Sequence, residues 1–359
     1  MTLARPVMIL AGGTGGHVFP ALAVADCLRA MGVPVVWLGT RAGLESRVVP
    51  AKGIPVEWIA VRGLRGKGLR SWLSAPFMVL RALWQALAAV RRHRPRAALG
   101  MGGYVAGPGA LAARLAGCPL LIHEQNARAG LTNRLLSRLA SKVLVGFPGV
   151  LIGRGAVFTG NPVRSAIAQL APPDERFAGR SDGPRLLVIG GSQGAKVLNE
   201  VMAGAIARLE PAIRPVIHHQ AGQSTLELAR AAYAAAQVKA EVMPFIDDMA
   251  EAYGWADLVV SRAGALTIAE LAAVGVAAVL VPLPYAVDDH QTANAAYLCE
   301  AGAAVLLPQR ELSEARLAAI LTELLGNRRR LIDMAAKSRR LGRADAAERV
   351  ARFCLEVSA

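Results

Sequence analysis

The chain has 359 residues, 54% of them hydrophobic and 19% charged, and a formal net charge of +15. That length suits two domains of about 150 to 200 residues each, and the apolar content excludes a disordered chain. Cys27, Cys118, Cys299 and Cys354 follow no paired spacing, which excludes a disulfide framework or zinc module and fits a reducing compartment.

The charge is unevenly placed. Residues 1–164 carry 21 Lys and Arg against 4 Asp and Glu, whereas residues 165–359 carry 20 against 22. The basic half fits a polyanionic partner, either nucleic acid or an anionic membrane surface. The plainer reading is a solvated basic face.

The first apolar run, 7–11, reads as a buried strand, too short for the core of a signal peptide. It enters the turn GGTGGH at 12–17, where glycines let backbone N–H groups approach an anion and the next helix adds its positive end. A dinucleotide fold fits poorly. Val18 stands where G-x-G-x-x-G wants glycine, and 39–41 lacks the acidic residue that holds a ribose. Phosphate or diphosphate binding and plain tight packing remain the two readings of the turn. His17 closes it, either as a proton acceptor near neutral pH or as a positioning histidine.

A helix at 21–31 and a strand at 33–39 follow. The basic stretch 62–96 is nearly long enough to span a bilayer, yet Pro76, Arg81 and Gln85 interrupt it. An interfacial or core helix fits better, with Trp72, Phe77 and Trp84 at headgroup depth. Strands at 97–101, 119–124 and 142–146 and a helix at 106–116 complete the first set. His123, Glu124, Gln125 and Asn126 (HEQN) lie at a strand's carboxyl end, where open α/β sheets place ligands or the residues that support them. The segment GNPVR, 160–164, reads as the linker.

The pattern restarts with strands at 185–190, 216–220, 241–245, 258–261, 277–281 and 304–307. GGSQGAKVLN at 190–199 repeats the glycine turn, so Ser192 and the loop amides face a diphosphate from the second half. SRAGALTIAE at 261–270 feeds a helix on which Glu270 either accepts from both ribose hydroxyls or stands solvated, as a lone helical glutamate usually does. In DDHQTANA, Gln291 and Asn294 share a helix face suited to sugar hydroxyls. Asp288, Asp289 and His290 are consecutive and converge poorly on a metal. A charged helix, 327–357, is expected to pack back on the first domain. Alternating strands and helices imply parallel sheets, giving an α/β chain of two Rossmann-like doubly wound domains facing a cleft. The boundaries expected are 1–163, 164–340 and a terminal helix from 341 to 359.

The motifs GGTGGHVFPALAVA, LRGKG, GMGGYVAGP, HEQN, GLTN, GNPVR, GGSQGA, FIDDM, SRAGALT and DDHQ..NA occur in this order over nearly the whole chain. The set closely resembles the MurG family, bacterial N-acetylglucosaminyltransferases of peptidoglycan synthesis. The resemblance implies a GT-B type glycosyltransferase that needs no metal and no cofactor. It implies inverting transfer from UDP-N-acetylglucosamine to lipid I, giving lipid II, by a peripheral protein at the cytoplasmic face of the cell membrane. The partners implied are that donor, lipid I, the anionic membrane surface and other cell-wall synthesis proteins, with no nucleic acid. It assigns donor contacts to Thr14, Gly15, Gly16, Asn126, Arg164, Ser192, Ile246, Ala265, Leu266, Thr267, Ile268, Ala269, Glu270 and Gln291. Ile246 would act through its backbone at the uracil, and His17 is the candidate base. Ala127 and Ala263 depart from the family pattern at tolerated positions. The rivals are a diacylglycerol glycosyltransferase or UDP-sugar epimerase on the same fold, and a polyanion-binding protein without catalysis.

Overall fold

The computed structural model describes residues 5–62, 69–180, 183–191, 194–285 and 287–357, with side chains at all of these except 69–74 and 287. It divides into two compact units, one running to Arg164 and resuming at Asp345, the other spanning Ser165–Ala344. Arg164, expected at the head of the second domain, therefore clusters with the first, and residues 341–344 stay with the second.

The first unit runs through Val7–Ala11 (β1), Gly15–Ala30 (α1), Val35–Gly39 (β2), Glu45–Ala51 (α2), Val56–Trp58 (β3), Leu69–His93 (α3), Ala97–Gly102 (β4), Ala106–Leu115 (α4), Leu120–Glu124 (β5), Leu131–Leu136 (α5), Lys142–Val145 (β6) and Val157–Phe158 (β7). The strands pair in parallel in the order β3-β2-β1-β4-β5-β6-β7. Every residue of β1, β2, β4 and β5 is buried, as a sheet covered on both faces requires. Inside that sheet Trp37 ties β2 to the end of β1, donating from Nε1 to the Ala11 carbonyl at 2.8 Å.

Helix α3 resolves the basic stretch. Ala75, Ala82, Ala86, Ala89 and Val90 are buried at helical spacing, while Phe77, Leu80 and Trp84 stand 77%, 55% and 70% exposed. No helix among the described residues is long and apolar enough to cross a membrane. Trp72 falls where side chains lie outside the described residues.

The segment 160–164 is not a loose linker. His123 Nε2 donates to the Gly160 carbonyl at 3.0 Å, and Asn161, 3% exposed, donates from Nδ2 to the Gln125 carbonyl at 2.9 Å. Buried His123 satisfies the Gly160 carbonyl and Asn161 reaches back to the HEQN backbone, so the segment packs as part of the first unit.

The second unit opens with Ser165–Ala168 (α6) and Pro173–Phe177 (α7). It continues through Arg185–Ile189 (β8), Lys196–Ala207 (α8), Val216–Gln220 (β9), Leu226–Ala235 (α9), Glu241–Met243 (β10), Met249–Trp255 (α10), Leu258–Ser261 (β11), Ala265–Val274 (α11), Ala277–Leu280 (β12), His290–Cys299 (α12), Ala304–Leu306 (β13), Glu314–Leu325 (α13) and Arg328–Leu341 (α14). Its parallel sheet has the order β10-β9-β8-β11-β12-β13. The strand order of each sheet reverses beside its first strand, between β1 and β4 and between β8 and β11, where open α/β sheets hold ligands.

The single closing helix expected at 327–357 is two. Gly342 leaves α14 in an extended conformation, φ −60° and ψ 146°, against the Ala272 carbonyl. The second piece, Ala346–Glu356 (α15), buries Val350, Ala351 and Cys354 in the core of the first unit with α1.

Candidate active site

In the first unit the site forms where β1 and β4 end. Thr14 precedes α1 without capping it, and the first turn carries no acidic residue. Asp248, Ser313 and Asn327 cap α10, α13 and α14 with side-chain oxygens, whereas α1, like α4, α9 and α12, has no side-chain cap. The start of α1, with Thr14 and Gly16 exposed, leaves its positive end open to solvent.

Two neighbours shape this turn. Gly102 and Gly103, at φ +100° and +79°, let β4 run against it; a Cβ on Gly102 would lie 2.6 Å from His17 Nδ1, and one on Gly103 would lie 2.1 Å from the Gly12 carbonyl. Behind the turn sits Glu45, fully buried, whose carboxylate accepts from Gly13 N and Thr40 N at 2.9 Å and from Thr40 Oγ1 at 2.8 Å. These donors replace the water a buried charge loses. The sequence carries no local sign of Glu45, since its partner Gly13 is 32 residues away.

HEQN supports the site from within. His123, Glu124 and Gln125 are at most 2% exposed. Glu124 accepts from the backbone N–H groups of Asn126 and Gly130 and from Asn133 Nδ2. It thereby folds the loop that presents Asn126, which is half-buried. Gln125 Oε1 lies 3.2 Å from His17 Nδ1. Arg164 reaches α1, with its guanidinium 5.7 Å from the Phe19 ring.

The second unit builds its site from β8, β11 and β12. The turns before α8 and α11 are again uncapped, with no acidic residue in either first turn. Ser192 lies outside the described residues. Gly194, at φ +80°, abuts the Ala221 carbonyl. Asn199 and His219 hold that stretch: Asn199 Nδ2 donates to Ala221 O at 3.0 Å, and its Oδ1 lies 3.0 Å from His219 Nε2.

Gln291 and Asn294 divide their roles. Gln291 Oε1 accepts from the backbone of Ala263 at 3.3 Å and of Leu283 at 3.0 Å, which turns its amide N–H groups away from these partners. Asn294 is fully buried and donates to the Ala263 carbonyl at 3.2 Å, so it braces the SRAG turn where a sugar contact was expected. Along α11, Ala265, Ile268 and Glu270 are buried and Leu266, Thr267 and Ala269 half-buried. Glu270 is 5% exposed and accepts from the Tyr253 hydroxyl at 3.1 Å, a partner the sequence did not announce. Ile246 follows β10 on the loop into α10, its side chain buried. No group of three metal-ligating side chains converges among the described residues.

Burial holds His123 and His219 well below their ordinary value of 6.5, at about 4. Both are neutral in the fold, so stability is complete above pH 6.5 and declines as pH falls toward 4, where the folded state also takes the proton. The gap corresponds to roughly 3 kcal/mol per histidine. Urea unfolding at pH 7 and 4.5 should register this loss, and His219→Gln should remove its share; an unchanged pH dependence in H219Q would contradict the assignment.

Two family models match the chain: the glycosyltransferase family 28 N-terminal domain over residues 7–145 and its C-terminal domain over 185–350. The chain is 64% identical over 99% of both sequences to the UDP-N-acetylglucosamine–N-acetylmuramyl-(pentapeptide) pyrophosphoryl-undecaprenol N-acetylglucosamine transferase of Alkalilimnicola ehrlichii. Identity to the protein of the same name in Halorhodospira halophila is 59%, again over 99% of both. Among solved structures, MurG of Acinetobacter baumannii superposes with a TM-score of 0.84 at 43% identity, over 98% of this chain and 99% of that one. The paired uncapped glycine turns and these full-length matches agree: the chain belongs to glycosyltransferase family 28 and, within it, to the MurG family.

Proposed function

We propose that this glycosyltransferase moves N-acetylglucosamine from UDP-N-acetylglucosamine to lipid I, undecaprenyl-diphospho-N-acetylmuramoyl-pentapeptide, forming the β-1,4 linkage of lipid II. The observation that carries the reading is the 64% identity, over 99% of the chain, to a relative named for that reaction. In the displacement the acceptor hydroxyl oxygen bonds to the anomeric carbon as the bond to the UDP oxygen breaks on the opposite face. His17 takes the hydroxyl proton. Negative charge grows on the departing diphosphate, and uncapped helix ends, the loop amides at Thr14, Gly15, Gly16 and Ser192, and Arg164 offset it. Asn126, Gln291, the backbone of Ile246 and the run from Ala265 through Leu266, Thr267, Ile268 and Ala269 to Glu270 hold the rest of the donor. Incubation with UDP-N-acetylglucosamine alone, and then with diacylglycerol, separates the rivals: an isomerised nucleotide sugar would mean an epimerase, and a labelled diacylglycerol would mean the other transferase.

The lipid acceptor calls for contact with the membrane surface, and α3 is suited to it. Its exposed Phe77, Leu80 and Trp84 flank Arg81. Beside them a cavity of about 720 Å³ is lined by Arg41, Arg62, Trp58 and Met78. Apolar rings at headgroup depth with arginines on anionic lipid describe peripheral binding, here at the cytoplasmic face. Replacing Phe77, Leu80 and Trp84 together with serine should cut binding to vesicles containing phosphatidylglycerol by about tenfold or more, since each buried ring or alkyl group contributes about 1.5–3 kcal/mol. Unchanged sedimentation with vesicles would contradict the placement.

A further inference from the structure

A chain of hydrogen bonds runs from the Gly160 carbonyl through His123 and Gln125 to His17, and its polarity can be read from one end. The Gly160 carbonyl can only accept, so the His123 nitrogen 3.0 Å away, Nε2, carries the proton. Burial keeps His123 neutral, with its pKa lowered to about 4, so its Nδ1 bears a lone pair. Gln125 Nε2 lies 3.3 Å from that Nδ1, 2.9 Å from the Met101 carbonyl and 3.1 Å from the His123 carbonyl. Three acceptors around one nitrogen identify it as the amide NH₂ and leave Oε1 as the atom facing His17. An amide oxygen only accepts, so His17 Nδ1, 3.2 Å away, donates to it.

We propose that Gln125, oriented by His123, is a positioning residue that fixes His17 with a proton on Nδ1, so that Nε2 is the nitrogen that offers the lone pair of the base. This rests on the reading of His17 as the base. The base must present a lone pair to the acceptor hydroxyl, and an imidazole free to exchange tautomers presents it only part of the time. A glutamine does this without adding a charge beside a turn that binds diphosphate. Gly102 admits the ring to this position, since any Cβ there would meet Nδ1.

The test is the ring ¹⁵N spectrum of the full chain labelled at histidine, recorded at neutral pH, together with steady-state kinetics. In the wild type, His17 should show a protonated Nδ1 and an unprotonated Nε2. In Gln125→Leu, which removes the acceptor, that signature should give way to a tautomer mixture. Turnover should then fall about tenfold or more, with the KM for UDP-N-acetylglucosamine changed less than about threefold. A wild-type spectrum with the proton on Nε2 overturns the proposal, and needs no variant to fold. Wild-type turnover in a folded Q125L overturns it as well. Absence of transfer by the wild type would instead strike the proposed reaction, while the spectrum still decides the tautomer.

Discussion

Replacing His17 with alanine should lower kcat for transfer by about 10²- to 10⁴-fold, the usual contribution of a positioned base. The residue stands at the start of α1, half-buried, on the turn whose amides are proposed to meet the diphosphate. Its ring is held by Gln125 Oε1 at 3.2 Å and admitted by Gly102. Fluorescence titration should find UDP affinity within about threefold of the wild type, because losing a group that acts on the acceptor proton costs turnover rather than donor affinity. A turnover within about fivefold of the wild type would remove His17 from the role of base.

Replacing Glu270 with alanine should act in the opposite way, weakening UDP binding about 10- to 100-fold while leaving kcat at saturating donor within about threefold. The carboxylate is 5% exposed and receives the Tyr253 hydroxyl at 3.1 Å, which fixes its direction on α11. On the proposed reading it also accepts from the ribose. Hydrogen bonds to a charged acceptor contribute about 1.5–3 kcal/mol. The ribose lies far from the bond that breaks, so the loss falls on ground state and transition state alike. Tyr253→Phe should give a weaker version of the same result. Calorimetry with UDP measures both, and an unchanged dissociation constant in Glu270→Ala would exclude the carboxylate from the donor contacts.

The strand framework was legible because buried parallel strands are short, continuous apolar runs. The runs at 7–11, 216–220 and 258–261 match β1, β9 and β11 to the residue. Strands β3 and β7 were not, being two or three half-buried residues with no run to detect. The start of α1 was read six residues late, because glycines that disfavour a helix interior here form its first turn. The division of the terminal helix at Gly342 was hidden by charged residues on both sides that suit a helix equally well. The glycine turns stand between strand and helix where the spacing put them, as the ends of β1 and β8 and the starts of α1 and α8 show. What stayed dark is what depends on distant partners: Glu45 behind Gly13, Tyr253 beside Glu270, and the burial of Asn294. Residue type and spacing place a side chain on a face; only the fold decides whether that face meets ligand or core.

The central claim is the transfer itself. The most direct measurement incubates the protein with radiolabelled UDP-N-acetylglucosamine and a short-chain lipid I analogue in the presence of EDTA, then separates lipid from nucleotide. The account predicts label in a disaccharide lipid with a β linkage, formed without added metal because helix ends and Arg164 answer the charge on the diphosphate. Donor that binds but leaves the lipid unlabelled would contradict it.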